Sequence, residues 1–235
     1  MNPRNFPKKN RFLNSLPSSS YNFIEKYLVA CHLLRDSDLF QSSKKIDHIY
    51  FPTNSIVAVM NYLENGANPE VATIGNDGLV GIDAMIGHFP SARKHIVQSA
   101  GYAYKIKADI IKKLFNEDVD FRNRLLKYNS ILFTQAAQLV VCNRFHTIEQ
   151  QICRFLLTSI DRWDSQRISL THQRIADLLG VRRPSVSEVS AKLASLGLIH
   201  YHRGCVTILN QPGLHAHTCE CYLVVKNEVN SILNN

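Results

Sequence analysis

The sequence lacks the long apolar segments that would carry it into or across a membrane. No uninterrupted apolar run reaches about 18 residues, so we expect no membrane span. The first 20 residues are basic and lack the apolar stretch of a secretory signal, so we expect a cytoplasmic protein. With 45% hydrophobic and 20% charged residues, the 235-residue chain has the composition of a globular protein.

Motifs typical of enzymes are also missing. There is no G-x-S-x-G, P-loop, G-x-G-x-x-G or H-E-x-x-H motif, and no obvious pair of nucleophile and base. We therefore predict that the protein is not an enzyme and needs no cofactor. The six cysteines are too sparse for a disulfide framework, so we expect reduced thiols.

Acidic residues are scarce relative to basic ones. There are 19 Asp and Glu against 27 Lys and Arg, which gives a formal charge of +8 and a pI of about 9.2. A surplus of this size suggests an anionic partner, either nucleic acid, a membrane surface or an acidic substrate.

The first half of the chain predicts a mobile basic tail followed by a small β domain. Residues 1–20 contain three prolines and three consecutive serines, and helical spacing of apolar residues follows in 21–34. Two β-prone runs around Asn65-Gly66 predict a hairpin, and another pair of strands is expected in 95–106. Together, residues 46–106 indicate an antiparallel β structure.

A long helix is predicted over residues 118–146, which contain neither Pro nor Gly. One seam alternates steps of four and three and is assigned to a dimer interface: Phe121, Leu125, Tyr128, Leu132, Gln135, Leu139 and Cys142. A second row includes Leu126, Ile131, Phe133, Ala137 and Val140. One side should pack on the β domain and the other on a second subunit; a single core helix in a monomer is the alternative.

Residues 170–208 contain the pattern that indicates function. Thr147 and Gln150 predict a capping box that starts a helix after a hinge at 146–147. A first helix then begins at Thr171 and ends at Gly180, and a second helix follows two arginines. Its predicted buried side is Val186, Val189, Leu193 and Leu196. A hairpin around Arg203-Gly204 resembles a wing, so the region predicts a DNA-binding winged helix-turn-helix.

The predicted DNA contacts follow from the chemistry of the exposed side chains. Arginines at the start of the second helix can bond guanine edges, and the start of the first helix can bond phosphate. Either Arg182 or Arg183 is the N-cap, since Pro184 biases the residue before it away from helical angles. The predicted set is Thr171, His172, Gln173, Arg182, Arg183, Ser185, Ser187, Glu188, Lys192 and Arg203.

With these motifs the chain resembles Crp/Fnr-family bacterial transcription regulators. The resemblance implies an α+β fold with an antiparallel β-roll (21–117), a dimerisation helix (118–146), a winged-helix domain (147–214) and, here, a C-terminal helical extension (215–235). It also implies a homodimer on a roughly palindromic double-stranded DNA site, contact with RNA polymerase, and base reading at Arg183, Ser185 and Glu188. Pro184 and Glu188 depart from the family's common residues, so the resemblance does not identify the target sequence.

The sensor region departs from the family members that bind cyclic nucleotides. Their Gly-Glu pair is here Gly81-Ile82, with Asp83 one residue late, which in a strand would face the other way. Their Arg-Ser pair is approached by Ser91-Ala92, with Arg93 two residues late. We therefore predict a regulator that cyclic AMP does not gate; the alternative is one gated by a cyclic nucleotide or another small effector in the β-roll.

Metal and haem sites are not predicted. Cys31 stands alone where an iron–sulfur branch would need several cysteines, and the histidines at 32, 48, 88 and 95 are expected at the surface or hydrogen-bonded. In the tail, His215, His217, Cys219 and Cys221 would span roughly 20 Å on a strand, too far for one ion. On a helix, His215 and Cys219 share a face and Cys221 points elsewhere, so we expect a packing helix here.

Overall fold

The computed structural model describes residues 6–40, 45–61, 63–64, 68–86, 93–163 and 165–234. The predicted turn at Asn65-Gly66, His88 and the Ser91-Ala92 pair lie outside these residues. The α+β fold class and the order β-roll, long helix, winged helix are confirmed. Among the described residues, no helix is both long enough and apolar enough to cross a membrane.

The N-terminal segment packs into the core, so the predicted mobile tail is wrong for residues 6–20. A 3₁₀ turn (Pro7–Lys9) leads into α1 (Arg11–Asn14) and α2 (Ser18–Glu25). Phe12 and Leu13 are fully buried, and the Asn10 amide donates to the carbonyls of Pro52 and Gly78 at 2.8 and 2.7 Å. Burial of these apolar side chains offsets the entropy lost when the segment is ordered.

The β-roll consists of two three-stranded antiparallel sheets. Its strands are β1 (Val29–Leu33), β2 (His48–Pro52), β3 (Ile56–Asn61), β4 (Glu70–Ile74), β5 (Arg93–Ser99) and β6 (Gly101–Lys107). The sheet orders are β1-β6-β2 and β4-β3-β5. The predicted pairing of β3 with β4 is confirmed, whereas the helix expected over 21–34 ends at Glu25 and β1 follows. The neighbours β5 and β6 pair in different sheets.

One short helix lies within the roll, between β4 and β5, and two helices follow β6. They are α3 (Asp83–Ile86), α4 (Ala108–Glu117) and α5 (Val119–Phe145). The Asp118 carboxylate caps α5 by accepting from the backbone N–H of Phe121 at 3.0 Å.

The dimer seam predicted on α5 is instead the side that packs inside the subunit. Phe121, Leu125 and Tyr128 are at most 2% exposed and belong to the core beneath the β-roll. Gln135 and Cys142 are also buried, while Leu132 and Leu139 are half-buried. Of the second predicted row, Ile131 is also buried in this core, at 1% exposed. The other four residues are exposed and are defined here as the outer row: Leu126, Phe133, Ala137 and Val140. The β-roll and the C-terminal helix need one apolar side of α5, and they cover the predicted seam.

The C-terminal region forms a second core around a three-stranded sheet of order β7-β9-β8. Its elements are α6 (Ile148–Arg162), β7 (Arg167–Ile168), α7 (His172–Leu179), α8 (Arg183–Ser195), β8 (Ile199–His202), β9 (Cys205–Ile208), α9 (Gln211–Ala216) and α10 (Cys221–Leu233). The predicted capping box of Thr147 and Gln150 is present at the start of α6.

The two cores contact each other directly. Ala58 and Met60 of β3 belong to the C-terminal core. A buried ion pair joins the turn after β4 to the end of α6, where Arg162 Nε donates to Asp77 Oδ2 at 2.7 Å. The winged-helix region is therefore held against the β-roll by apolar and charged contacts.

Candidate nucleic-acid interface

Helices α7 and α8 form the predicted helix-turn-helix. The Thr171 hydroxyl accepts from the backbone N–H of Arg174 at 3.1 Å, which caps α7. Gly180 ends α7 in the left-handed conformation, with φ 67° and ψ 31°. Val186 and Leu193 anchor α8 in the core, as predicted. Leu196 was expected to be buried as well, but it follows the end of α8 and is half exposed.

The start of α8 exposes two arginines. Arg182 is the N-cap, with extended backbone angles, and Arg183 is the first helical residue. The sequence had left these two alternatives open. Glu188, one turn further on, is also exposed, and Ser185 is half-buried. Within the described part of the chain, neither arginine makes an ion pair.

The hairpin of β8 and β9 turns at Arg203 and Gly204. Both residues have positive φ, 44° and 74°, and His202 pairs with Cys205 across the turn. Positive φ at both central residues is the pattern of a two-residue turn that matches strand twist. The exposed Arg203 side chain therefore lies at the tip of the wing. We define the recognition surface as Arg182, Arg183, Glu188 and Arg203.

His172 contacts both α8 and the wing from the start of α7. Its ring stacks on Tyr201 of β8 with centroids 3.9 Å apart, and its Nδ1 lies 2.9 Å from the Ser187 hydroxyl. Burial, and then the charge of Arg183, lowers the pKa of His172, which favours the neutral ring. His172 and Ser187, both predicted DNA contacts, thus position other elements. The role of Tyr201 in this contact was not predicted. The available signal was strand alternation, since Tyr201 lies between two exposed histidines on β8 and so points to the opposite, inner side.

Two further predicted contacts have partners within the chain. The Gln173 amide donates to Asp177 at 2.7 Å on α7. Lys192 lies 2.5 Å from the Glu149 carboxylate of α6, which also bonds the His217 ring at 2.8 Å. These two contacts hold the pKa of Glu149 below its usual value. Lys192 therefore ties α8 to α6.

A cavity of about 380 Å³ lies in the β-roll beside α5. Asp83 and Arg93 pair within it at 2.7 Å. Residue 83 begins the short helix α3 and is not in a strand, so the expectation that its carboxylate faces away is wrong. His95 is buried against Phe40, and burial lowers the pKa of His95 to about 4. Its Nδ1 has no hydrogen-bond partner among the described residues.

Comparison with protein families identifies the C-terminal region. Residues 150–217 match the family model for the Crp-like helix-turn-helix domain. This region is a Crp-like helix-turn-helix domain. A search of curated proteins found no match to the chain.

Solved structures share the fold of about four-fifths of the chain. FixK2 from Bradyrhizobium japonicum is 15% identical, with a TM-score of 0.69 over 82% of this chain and 98% of its own. TTHB099, a CRP-family transcriptional regulator from Thermus thermophilus, is 18% identical, with a TM-score of 0.66 over 80% and 95%. TTHA1359, a CRP/FNR-family regulator from the same organism, is 15% identical, with a TM-score of 0.64 over 80% and 97%. The resemblance to Crp/Fnr regulators is confirmed in domain and fold.

Proposed function

We propose that this protein is a transcription regulator that binds a specific DNA sequence as a homodimer. The Crp-like domain and the fold point to a regulator of Crp/Fnr type and not to an enzyme. The observation that carries the finer proposal is the recognition surface, where three exposed arginines have no ion-pair partner in the described part of the chain. Such charges at a helix start and a wing tip suit an anionic duplex.

Within this proposal, α8 enters the major groove and the wing follows the backbone. Arg183 can bond the O6 and N7 atoms of guanine with its two-pronged guanidinium, and Ser185 and Glu188 can reach neighbouring base edges. Arg203 contacts phosphate without reading sequence. Thr171 and Gln173 lie at the exposed start of α7, where a helix N-terminus favours phosphate oxygens.

The outer row of α5 supports the homodimer, in place of the predicted seam. Leu126, Phe133 and Val140 follow each other at seven-residue steps, and Phe133 and Val140 are 74% and 70% exposed. A stripe with this period suits a two-stranded coiled coil formed with a second copy. Two-fold symmetry then predicts half-sites about one helical turn, roughly 34 Å, apart on the DNA. Contact with RNA polymerase follows from the resemblance to the family.

The homodimer is tested by sedimentation at micromolar concentration. The wild-type chain should be a dimer, and Val140→Asp should be a monomer because the charge would be buried without a partner. Lys127→Asp, on α5 but outside the outer row, should remain a dimer. Circular dichroism should show the same helix content in all three. A monomeric wild type, or a dimeric Val140→Asp, would overturn this interface.

Sequence specificity is tested by selecting bound DNA from a random library with the purified full-length chain. A roughly palindromic sequence should be enriched without any added nucleotide. Recovery of unrelated sequences after several rounds would contradict specific binding, although it would leave nonspecific DNA binding possible.

We also propose that cyclic AMP does not gate the protein. A cyclic phosphate would need a free guanidinium in the cavity, and Arg93 is paired with Asp83 there. The second candidate is a regulator gated by a cyclic nucleotide or another small effector. The cavity favours this second candidate, because its lining includes Leu132 and Phe133 of α5. Phe133 belongs to the outer row, so a bound ligand could act on the dimer interface through it.

A further inference from the structure

Four side chains with metal-binding chemistry meet where α5 ends. Cys142 and His146 lie one turn apart at the end of α5, and Cys219 and Cys221 flank the start of α10. The ligand atoms of all four lie within 4.8 Å of one another. The three cysteines are at most 3% exposed, and together they form a small cluster of their own within the core. We refer to these four residues as the Cys–His cluster.

The spacing of the atoms matches one tetrahedral ion. The Cys142 and Cys219 sulfurs are 3.6 Å apart, and the Cys221 sulfur is 3.5 Å from His146 Nδ1. An ion with zinc's bond lengths separates two sulfurs by about 3.8 Å and a sulfur and a nitrogen by about 3.6 Å. A disulfide would need about 2.05 Å between sulfurs, so the cysteines are not cross-linked in this arrangement.

The surroundings of the cluster are those that metal-binding histidines require. While Nδ1 of His146 faces the sulfurs, its Nε2 lies 3.3 Å from the Glu220 carboxylate. A second ring nitrogen bound to a carboxylate fixes the tautomer and orientation of a ligating imidazole. The Gln151 amide donates to the His146 carbonyl at 3.0 Å, which holds the backbone at this position.

The charges near the cluster are also compatible with bound metal. Three thiolates and one divalent cation leave a net charge of −1. Arg154 of α6 acts electrostatically on Cys142 and lines a small cavity together with Cys221. Its positive charge would offset the remaining negative charge, which a buried site requires.

We propose that Cys142, His146, Cys219 and Cys221 bind one Zn²⁺ ion that fastens the C-terminal helix to the end of α5. Three thiolates and an imidazole in a closed tetrahedron are the donor set of a structural zinc site. His215 and His217 do not take part, because His215 packs edge-on against Tyr222 and His217 bonds Glu149.

The position of the cluster suggests what the ion does. It lies just before the capping box at Thr147, where the long helix passes into the winged-helix region. On the other side, α10 runs along α5, where the Ser130 hydroxyl donates to Glu228 at 2.9 Å. The ion would join segments 77 residues apart in sequence and so stiffen the junction between the two regions. The metal site itself does not depend on the proposed DNA binding.

The test is the metal content of the full-length chain, purified under reducing conditions without chelators. Mass spectrometry of the metals should find about one zinc per chain. Cobalt exchanged into the site should show the absorption of a tetrahedral thiolate complex. Chelation should lower the melting temperature, and added Zn²⁺ should restore it.

Variants distinguish metal binding at the Cys–His cluster from metal binding by other cysteines of the chain. Cys142→Ser and Cys221→Ser should lose the zinc and the cobalt spectrum, whereas Cys31→Ser and Cys205→Ser, outside the cluster, should keep both. If the cluster variants fail to fold, the cobalt titration of the wild type still decides. A wild type that holds no zinc and takes up neither metal at micromolar concentration would overturn the proposal, as would a Cys142–Cys219 disulfide in the purified protein.

Discussion

The arginines that are paired within this chain and those on its recognition surface are used in opposite ways. Arg93 and Arg162 each bind a carboxylate at 2.7 Å, one in the β-roll cavity and one at the contact between the two cores. Arg183 and Arg203 are exposed and have no ion pair within the described residues. Charges that are paired inside the chain hold the fold together. Charges that lack an internal partner are available to an anion, which is why we assign DNA binding to the second group.

The largest expected effect comes from breaking the internal pair of Asp77 and Arg162. Arg162→Met leaves the Asp77 carboxylate buried without its partner, so the free energy of unfolding should fall by about 3–5 kcal/mol. Chemical denaturation would measure this loss. Arg183→Met, the same change on the recognition surface, should alter stability by less than about 0.5 kcal/mol.

A double variant sharpens this prediction. Asp77→Asn with Arg162→Met removes both charges, so most of the lost stability should return. Equal stabilities of Arg162→Met and Arg183→Met would show that the internal pair does not hold the two cores together.

The second prediction concerns DNA affinity, for which the exposed arginines should matter and the internal pairs should not. Arg183→Ala should weaken binding to the selected site by about 1–3 kcal/mol and relax the preference at one base pair per half-site. Fluorescence anisotropy with selected and random duplexes would measure both effects. Arg122→Ala, on α5, serves as the control and should bind as the wild type does. If Arg183→Ala left both affinities unchanged, α8 would not be the recognition helix.

The third prediction distinguishes the wing from the recognition helix. Arg203→Ala should weaken binding to all sequences about equally, because phosphate contacts carry no base information. The slope of log affinity against log salt should fall by about 1. Affinities measured at several salt concentrations would check this, and loss of discrimination between bases would instead assign a base contact to Arg203.

The smallest expected effect is the absence of stabilisation by cyclic nucleotides in the β-roll cavity. Cyclic AMP or cyclic GMP at millimolar concentration should not raise the melting temperature, since the Arg93 guanidinium that would bind the phosphate is paired with Asp83. A ligand present at 100 times its dissociation constant would add about 2.7 kcal/mol of stability. Asp83→Asn removes this ion pair, and any nucleotide binding should appear only in that variant. Micromolar binding to the wild type by calorimetry would favour the ligand-gated alternative.

The helix-turn-helix could be predicted from the sequence because its signals are local. Thr171 caps α7, Gly180 ends it with positive φ, and the Arg203-Gly204 pair turns the wing within a few residues of chain. Each signal acts through bonds between near neighbours, which the sequence displays directly. The internal partners of His172 and Lys192 were missed because they come from β8 and α6, outside the motif.

The spacing of the apolar residues predicted that α5 would have two apolar sides, but the side that faces inward depends on the elements that pack against the helix. Both rows repeat at helical spacing, and the choice depends on what the β-roll and α10 bring against them. The same holds for Phe12 and Leu13, whose burial needs the roll, and for the Cys–His cluster. Two of its residues come from α5 and two from near the start of α10, so no local spacing reveals it. Local capping and turn signals act between neighbours in the chain, whereas burial and metal coordination depend on distances that folding alone establishes.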